Sequence, residues 1–189
     1  MEVNILLKNM GMKKVLTLKN LIAVLLVAFA VVARFLPHPA NFVPIAAVAL
    51  FSGVYLGKKT SIAVPLIVMI ASDIFLGLHN LIFFTWGCMI LAGLIGWWVK
   101  DHKNWKTVVG ASLASSIIFF LVTNAAVWVV NMGDFYARNF SGLIMSYTYA
   151  LPFFRNTVLG DLFYTTALFG VMELALAWQK HRQLIRAQA

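Results

Sequence analysis

Ser72-Asp73-Ile74-Phe75-Leu76-Gly77-Leu78-His79-Asn80-Leu81-Ile82-Phe83-Phe84-Thr85-Trp86-Gly87-Cys88 is the stretch on which the reading of this chain turns. Two apolar runs meet there across a turn signalled by Gly77 and by His79-Asn80, so two helices are expected to lie antiparallel and side by side. An acid, an imidazole, an amide, a hydroxyl and the single thiol of the protein fall within that turn and the helix ends it joins. Polar atoms in apolar surroundings need partners, because leaving one buried and unpaired costs about 1–3 kcal/mol. At a rise of about 1.5 Å per residue, Asp73 lies roughly one turn below the loop and Cys88 roughly two turns below it on the facing helix.

Working outward, the same apolar character continues in both directions. Hydrophobic residues make up 62% of the 189 positions and charged residues 11%, against roughly 25% charged in soluble domains. With about 20 apolar residues per span, and fewer where a helix tilts or is interrupted, the sequence predicts six transmembrane helices. They fall near residues 19–36, 43–57, 61–78, 82–99, 107–130 and 157–178. The fold class expected is therefore an all-α integral membrane protein, one domain over residues 1–189. Lys8, Lys13, Lys14 and Lys19 precede the first apolar run, which ends at Arg34-Phe35-Leu36-Pro37-His38-Pro39 without a small-residue cleavage site. That run is expected to remain as a span rather than leave as a signal peptide.

A net charge of +9 would suggest nucleic acid as a partner in a soluble protein; here its distribution makes it a topology signal. Lys58, Lys59, Lys100, Lys103, Lys106, Lys180, Arg182 and Arg186 fall on the same side as the four N-terminal lysines. Only Arg34, Arg138 and Arg155 fall on the other. That bias places both termini in the cytoplasm, with residues 1–18 and 179–189 as cytoplasmic ends. Residues 37–42, 79–81 and 131–156 then face outward. Trp97, Trp98, Trp105 and Trp178 fit an interfacial belt at the inner boundary.

The outward end carries most of the polar residues. Pro37 and Pro39 stiffen the first outer loop around His38. Thr123-Asn124 and then Asn131 stand seven apart on the fifth helix, the two amides on one face. Within residues 135–151, Tyr136, Phe140, Leu143, Ile144, Tyr147 and Leu151 recur at helical intervals. They predict an amphipathic outer helix, a lid or surface anchor that Pro152 should stop. Gly110, Ala111, Ser112, Ala114, Ser115 and Ser116 are small enough for close helix packing.

Ionisable groups within a span are functional hypotheses by default. Asp73 and Asp161 sit near outer helix ends, as do Arg34 and Arg155, so Asp–Arg pairs tying loops to helices compete with direct ligand contact. Glu173 is placed toward the inner end, where snorkelling accounts for it. His38 and His79 are either solvated or at the mouth of a site. Asn41, Asn80, Asn124, Asn131 and Asn156 all fall outward, and amides suit a ligand rich in neutral donors and acceptors. One cysteine excludes an internal disulfide and a Cys-rich metal cage, leaving Cys88 as a small buried hydrophobe or a ligand. No phosphate loop, zinc-binding His pair or nucleophile elbow is present. Cys88 with His79 would lack an obvious oxyanion hole.

Arg34-Phe35-Leu36-Pro37-His38-Pro39-Ala40-Asn41-Phe42-Val43-Pro44, then Ser72-Asp73 and Gly77, then Leu151-Pro152-Phe153-Phe154-Arg155-Asn156-Thr157-Val158-Leu159-Gly160-Asp161 form a pattern. It resembles bacterial membrane proteins related to the substrate-binding S-components of energy-coupling-factor (ECF) vitamin transporters. Within that group the chain is similar in size to the cobalamin transporters of the BtuM type, in which one membrane cysteine ligates the cobalt of cobalamin. The matching residue here is Cys88, in Thr85-Trp86-Gly87-Cys88. The resemblance implies an S-component-like six-helix bundle and cobalamin captured from outside with its lower base displaced. It also implies the thiolate on cobalt and decyanation of cyanocobalamin as an accompanying reaction. Thiolate is a soft donor suited to such a metal. S-components that dock on the shared ECF energising module resemble one another in an Ala-x-x-x-Ala pattern on the first helix. Ala23, Ala28, Ala30 and Ala33 are never four apart, which argues against that partner.

The expected function is uptake of cobalamin, with Cys88 as the metal ligand. His38, Asn41, Asp73, His79, Asn80 and Thr85, together with Asn124, Tyr147, Arg155, Asn156 and Asp161, are expected to line or support the site. Two alternatives stay open: the same fold carrying another vitamin or precursor, and a membrane scaffold whose outer segment recruits a partner.

Overall fold

The computed structural model describes residues 12–130 and 135–188, with side chains described for residues 20–130 and 135–185. Asn131 and residues 1–11 of the expected N-terminal segment lie outside the described residues. Helix α1 is Met12–Phe35, and α2 is Ile45–Phe51, running directly into a π-helical turn at Ser52–Leu56. Then come α3, Lys58–Leu76, and α4, Ile82–Val99, the latter closed by a 3₁₀ turn at Lys100–His102. Last are α5, Trp105–Val130, and α6, Phe140–Gln188. No strand occurs among the described residues.

Among the described residues, four stretches are long and apolar enough to cross a membrane: Lys58–Leu76, Ile82–His102, Trp105–Val130 and Phe140–Ile185. Their large apolar side chains point outward in numbers that water would not tolerate. Phe75, Phe83 and Leu174, for instance, are 78%, 80% and 73% exposed. The apolar parts of the other two, Asn20–Phe35 and Ile45–Leu56, are shorter. The shortness of α2 has a packing reason, because every residue from Ile45 to Leu56 is buried. A helix apolar on all sides belongs inside, and the others pack around this one.

Close approach needs small residues where helices share little but van der Waals contact. A Cβ on Gly93 of α4 would collide with the Ser61 carbonyl of α3. One on Gly96 would strike the Leu50 backbone, and one on Gly53 would strike the α4 backbone. At both ends of α3 the chain turns through glycines in the left-handed region, Gly57 at φ 115° and Gly77 at φ 106°. The N–H of Gly77 donates to Asp73 O at 2.9 Å and closes the helix. Helices α3 and α4 are antiparallel neighbours as the Gly77-to-Asn80 turn predicts.

The largest departure from expectation is at Pro152, which does not stop a helix but lies inside α6. The predicted outer helix and sixth span are one helix of 49 residues, on the order of 70 Å long and so longer than a bilayer core of about 30 Å. An internal proline costs about 3 kcal/mol, but breaking the helix in apolar surroundings frees more backbone groups than the one bond proline removes. The face that this segment buries also differs. Gly142, Ser146 and Ala150 are buried, while Phe140, Ile144 and Leu151 are exposed and Tyr136 precedes the helix. Small residues make the contact and large apolar ones face outward, the reverse of a helix docking from water.

Candidate functional site

The bundle has two unlike ends. Lys58, Lys59, Lys100, Lys103 and Lys106 gather at one, and the other carries loops 36–44 and 77–81. Beneath those two loops is a cavity of about 420 Å³. Its polar wall comes from five places in the chain: Arg34 at the end of α1, His38 and Asn41 in the first loop, His79 in the second, Thr85 in α4, and Thr157 and Asp161 in α6. Its apolar wall includes Met69, Leu76, Met89 and Phe119.

Local chemistry fixes the loops. The Phe42 N–H donates to Pro39 O at 2.9 Å, making a turn whose third residue, Asn41, has φ 65°, a conformation asparagine tolerates better than most side chains. Phe42 anchors this loop, with ring centroids 5.9 Å from Phe163 and 5.6 Å from Tyr164 of α6. Its backbone packs closely on Gly160. The first loop is thereby held beside Asp161. His38 Nδ1 donates to Leu36 O at 2.6 Å, and His79 Nδ1 accepts the Leu81 N–H at 3.2 Å. These bonds fix both imidazole rings relative to their own loops.

Below the cavity, Arg34 and Asp73 form an ion pair at 2.6 Å, with 17% and 2% of their side-chain surface exposed. The same guanidinium nitrogen donates to Ser72 Oγ and approaches Met69 Sδ at 3.6 Å. Trp86 Nε1 donates to the second Asp73 oxygen at 2.8 Å. Both carboxylate oxygens are thus occupied, and Asp73 supports the site by holding Arg34 instead of lining the cavity. Asp161 has a different setting: Ser116 Oγ donates to its Oδ2 at 2.6 Å, and it takes part in no ion pair among the described residues.

A second cavity of about 210 Å³ shares Asn41, Phe119 and Thr157 with the first. Asn124 lines it, with Nδ2 donating to Phe120 O at 2.8 Å. Of the remaining expected site residues, Tyr147 donates its hydroxyl proton to Leu121 O at 2.9 Å, a helix-to-helix tie. Asn80 and Arg155 are exposed and Asn156 is half-buried; none of the three lines either cavity. Arg155 therefore does not repeat the pairing that Arg34 makes. Cys88 is a free thiol, 4% exposed, packed in the core beside Met89. The wall that α4 contributes is Thr85 and Met89, a turn apart, with Cys88 outside the lining. Among the described residues no three His, Cys, Asp or Glu side chains converge as a metal site.

Sequence reasoning missed Thr157, Phe119 and Met89 as lining residues. The Thr157 signal was its place between Asn156 and Asp161, one turn before the acid. Phe119 and Met89 carry no signal distinguishing them from the surrounding apolar residues.

A family model described as "Family of unknown function (DUF6580)" matches residues 14–184. The chain belongs to that family. Comparison with curated proteins and with solved structures gives no match.

Proposed function

We propose that this member of the family is a bacterial inner-membrane uptake protein that captures a vitamin or vitamin precursor in the cavity beneath loops 36–44 and 77–81. In this reading all six helices serve as spans, α2 as a short one enclosed by the rest, and both termini are cytoplasmic. Support for the orientation is the basic end, since lysine and arginine accumulate on the cytoplasmic side of membrane proteins. The observation that carries the function is the cavity itself: polar groups from three helices and two loops converge at the end that would face outward. Its volume falls in the range of small-molecule sites, about 300–1,000 Å³.

The cobalamin form of this reading places Cys88 Sγ on the cobalt of the transported corrinoid. It requires loops 36–44 and 77–81 to part, because a corrinoid is larger than this cavity. It also requires Cys88 to reach the space now faced by Thr85 and Met89. A smaller vitamin requires neither movement, and the geometry favours it.

Two experiments test this reading. Expression in vitamin-auxotrophic bacteria that lack their own uptake system is expected to restore growth on one limiting vitamin and not on others; rescue by none contradicts it. Purification with cobalamin tests the corrinoid form. A coloured complex whose spectrum shifts in Cys88→Ser supports cobalt ligation, an unchanged spectrum removes the ligand assignment, and no bound corrinoid removes that substrate.

A further inference from the structure

Asp161 stands apart from the other acids of the described chain. Asp73 is paired with Arg34 and Glu173 with Lys103, while Asp101 lies on the exposed 3₁₀ turn. Asp161 is 4% exposed, lines the cavity, and has one partner, the Ser116 hydroxyl on Oδ2. Its Oδ1 accepts no hydrogen bond within the described chain. A buried carboxylate is tolerated when a cation and several hydrogen bonds offset its lost hydration; here one hydrogen bond is supplied and, among the described residues, no cation.

The charged neighbour on the same wall is already committed: Arg34 serves Asp73, Ser72 and Met69. The imidazoles are tied to their own loops through Nδ1. What remains around Asp161 is largely apolar, with Phe119, Met69, Met89 and Leu76 enclosing space for an organic body rather than a bare ion.

We propose that the ligand of this cavity is an organic cation, an ammonium or amidinium head on an apolar body, whose N–H groups donate to the open oxygen of Asp161. The proposal rests on the reading of the cavity as a capture site and narrows its substrate class. A corrinoid carries no such head, so the smaller-cargo form is the one selected. Phe119 and Met89 contact the body, and the charged hydrogen bond is the element that discriminates against neutral analogues.

Full-length protein purified in detergent is titrated with benzylammonium and with benzyl alcohol, which share a body and differ in the head. The ammonium is expected to raise the unfolding temperature and to bind about tenfold more tightly than the alcohol. Asp161→Asn is expected to abolish the difference, and Lys103→Ala, at the opposite end, to preserve it. Equal binding of the two probes, or binding of neither at millimolar concentration, overturns the proposal. The wild-type comparison decides even if Asp161→Asn fails to fold. A neutral molecule found bound to the purified protein would overturn the cation and leave the uptake reading standing; no captured molecule of any kind would overturn the uptake reading.

Discussion

Two ion pairs of the described chain, Arg34–Asp73 and Lys103–Glu173, occupy opposite ends of the bundle and teach different things. Arg34–Asp73 is enclosed, with Trp86 and Ser72 completing its hydrogen bonds. Lys103–Glu173, at 2.5 Å, leaves 31% and 52% of its side chains exposed. Tyr55 donates to the same Glu173 oxygen at 2.5 Å. Burial makes each member of the first pair indispensable to the other, because removing one strands a charge. Exposure makes the second pair nearly dispensable, since water and lipid headgroups replace a lost partner. The enclosed pair also underlies the cavity, holding Arg34 in its wall, whereas the open one ties the π-helical turn and α6 to the α4–α5 connection.

The sharpest way to break this comparison is to remove one partner from each pair. Asp73→Ala is expected to destabilise the protein by about 3–5 kcal/mol, and Lys103→Ala by no more than about 1 kcal/mol, measured by denaturant unfolding in micelles. Equal losses would mean that burial does not separate the two ends. Next in size is the packing that brings the helices together. Gly93→Ala places a methyl group against the Ser61 backbone and is expected to cost about 1–3 kcal/mol. Gly110→Ala meets nothing within 4 Å and is expected to be neutral or to stabilise by up to about 1 kcal/mol.

Within the loop end, Thr157→Val keeps the shape of the wall and removes a hydroxyl. It is expected to weaken capture of the bound molecule by about tenfold or less with little change in unfolding temperature, as read by equilibrium binding. A large stability loss instead would identify Thr157 as a structural residue. Cys88→Ala trims a buried side chain outside the cavity lining and should cost only about 1 kcal/mol. Capture of a small vitamin should be unaffected, and a large loss of binding would return Cys88 to the site.

The basic end was legible from the sequence because its signals are local: runs of lysine, neighbouring tryptophans, and helix limits such as residues 82–99, which the structure reproduces for α4. His38, Asn41, His79, Thr85 and Asp161 were legible as cavity residues because an apolar chain places such groups near loops for a reason. An Asp–Arg pair at the outer helix ends was expected, and Arg34–Asp73 is one, but which acid takes which partner was not legible. Asp73 finds Arg34 across 39 positions and Asp161 finds Ser116 across 45, and choosing among several acids and several partners takes the packing of whole helices. Ser116 belonged to a stripe of small residues explained by packing alone, and that explanation hid its hydrogen bond. Cys88 was singled out for being the one thiol, but rarity does not set orientation: Thr85 and Met89 share the α4 face that meets the cavity. Pro152 misled because a proline that would end a helix in water is tolerated where ending the helix would leave more backbone groups unpaired in apolar surroundings.

Mass spectrometry of the small molecules that leave the purified, denatured protein tests the central claim most directly. Wild-type protein is expected to release one organic compound in near-stoichiometric amount, and Ala46→Trp, which fills the cavity, to release none. Wild-type protein that yields no compound, or a filled variant that yields the same compound in the same amount, would contradict the account.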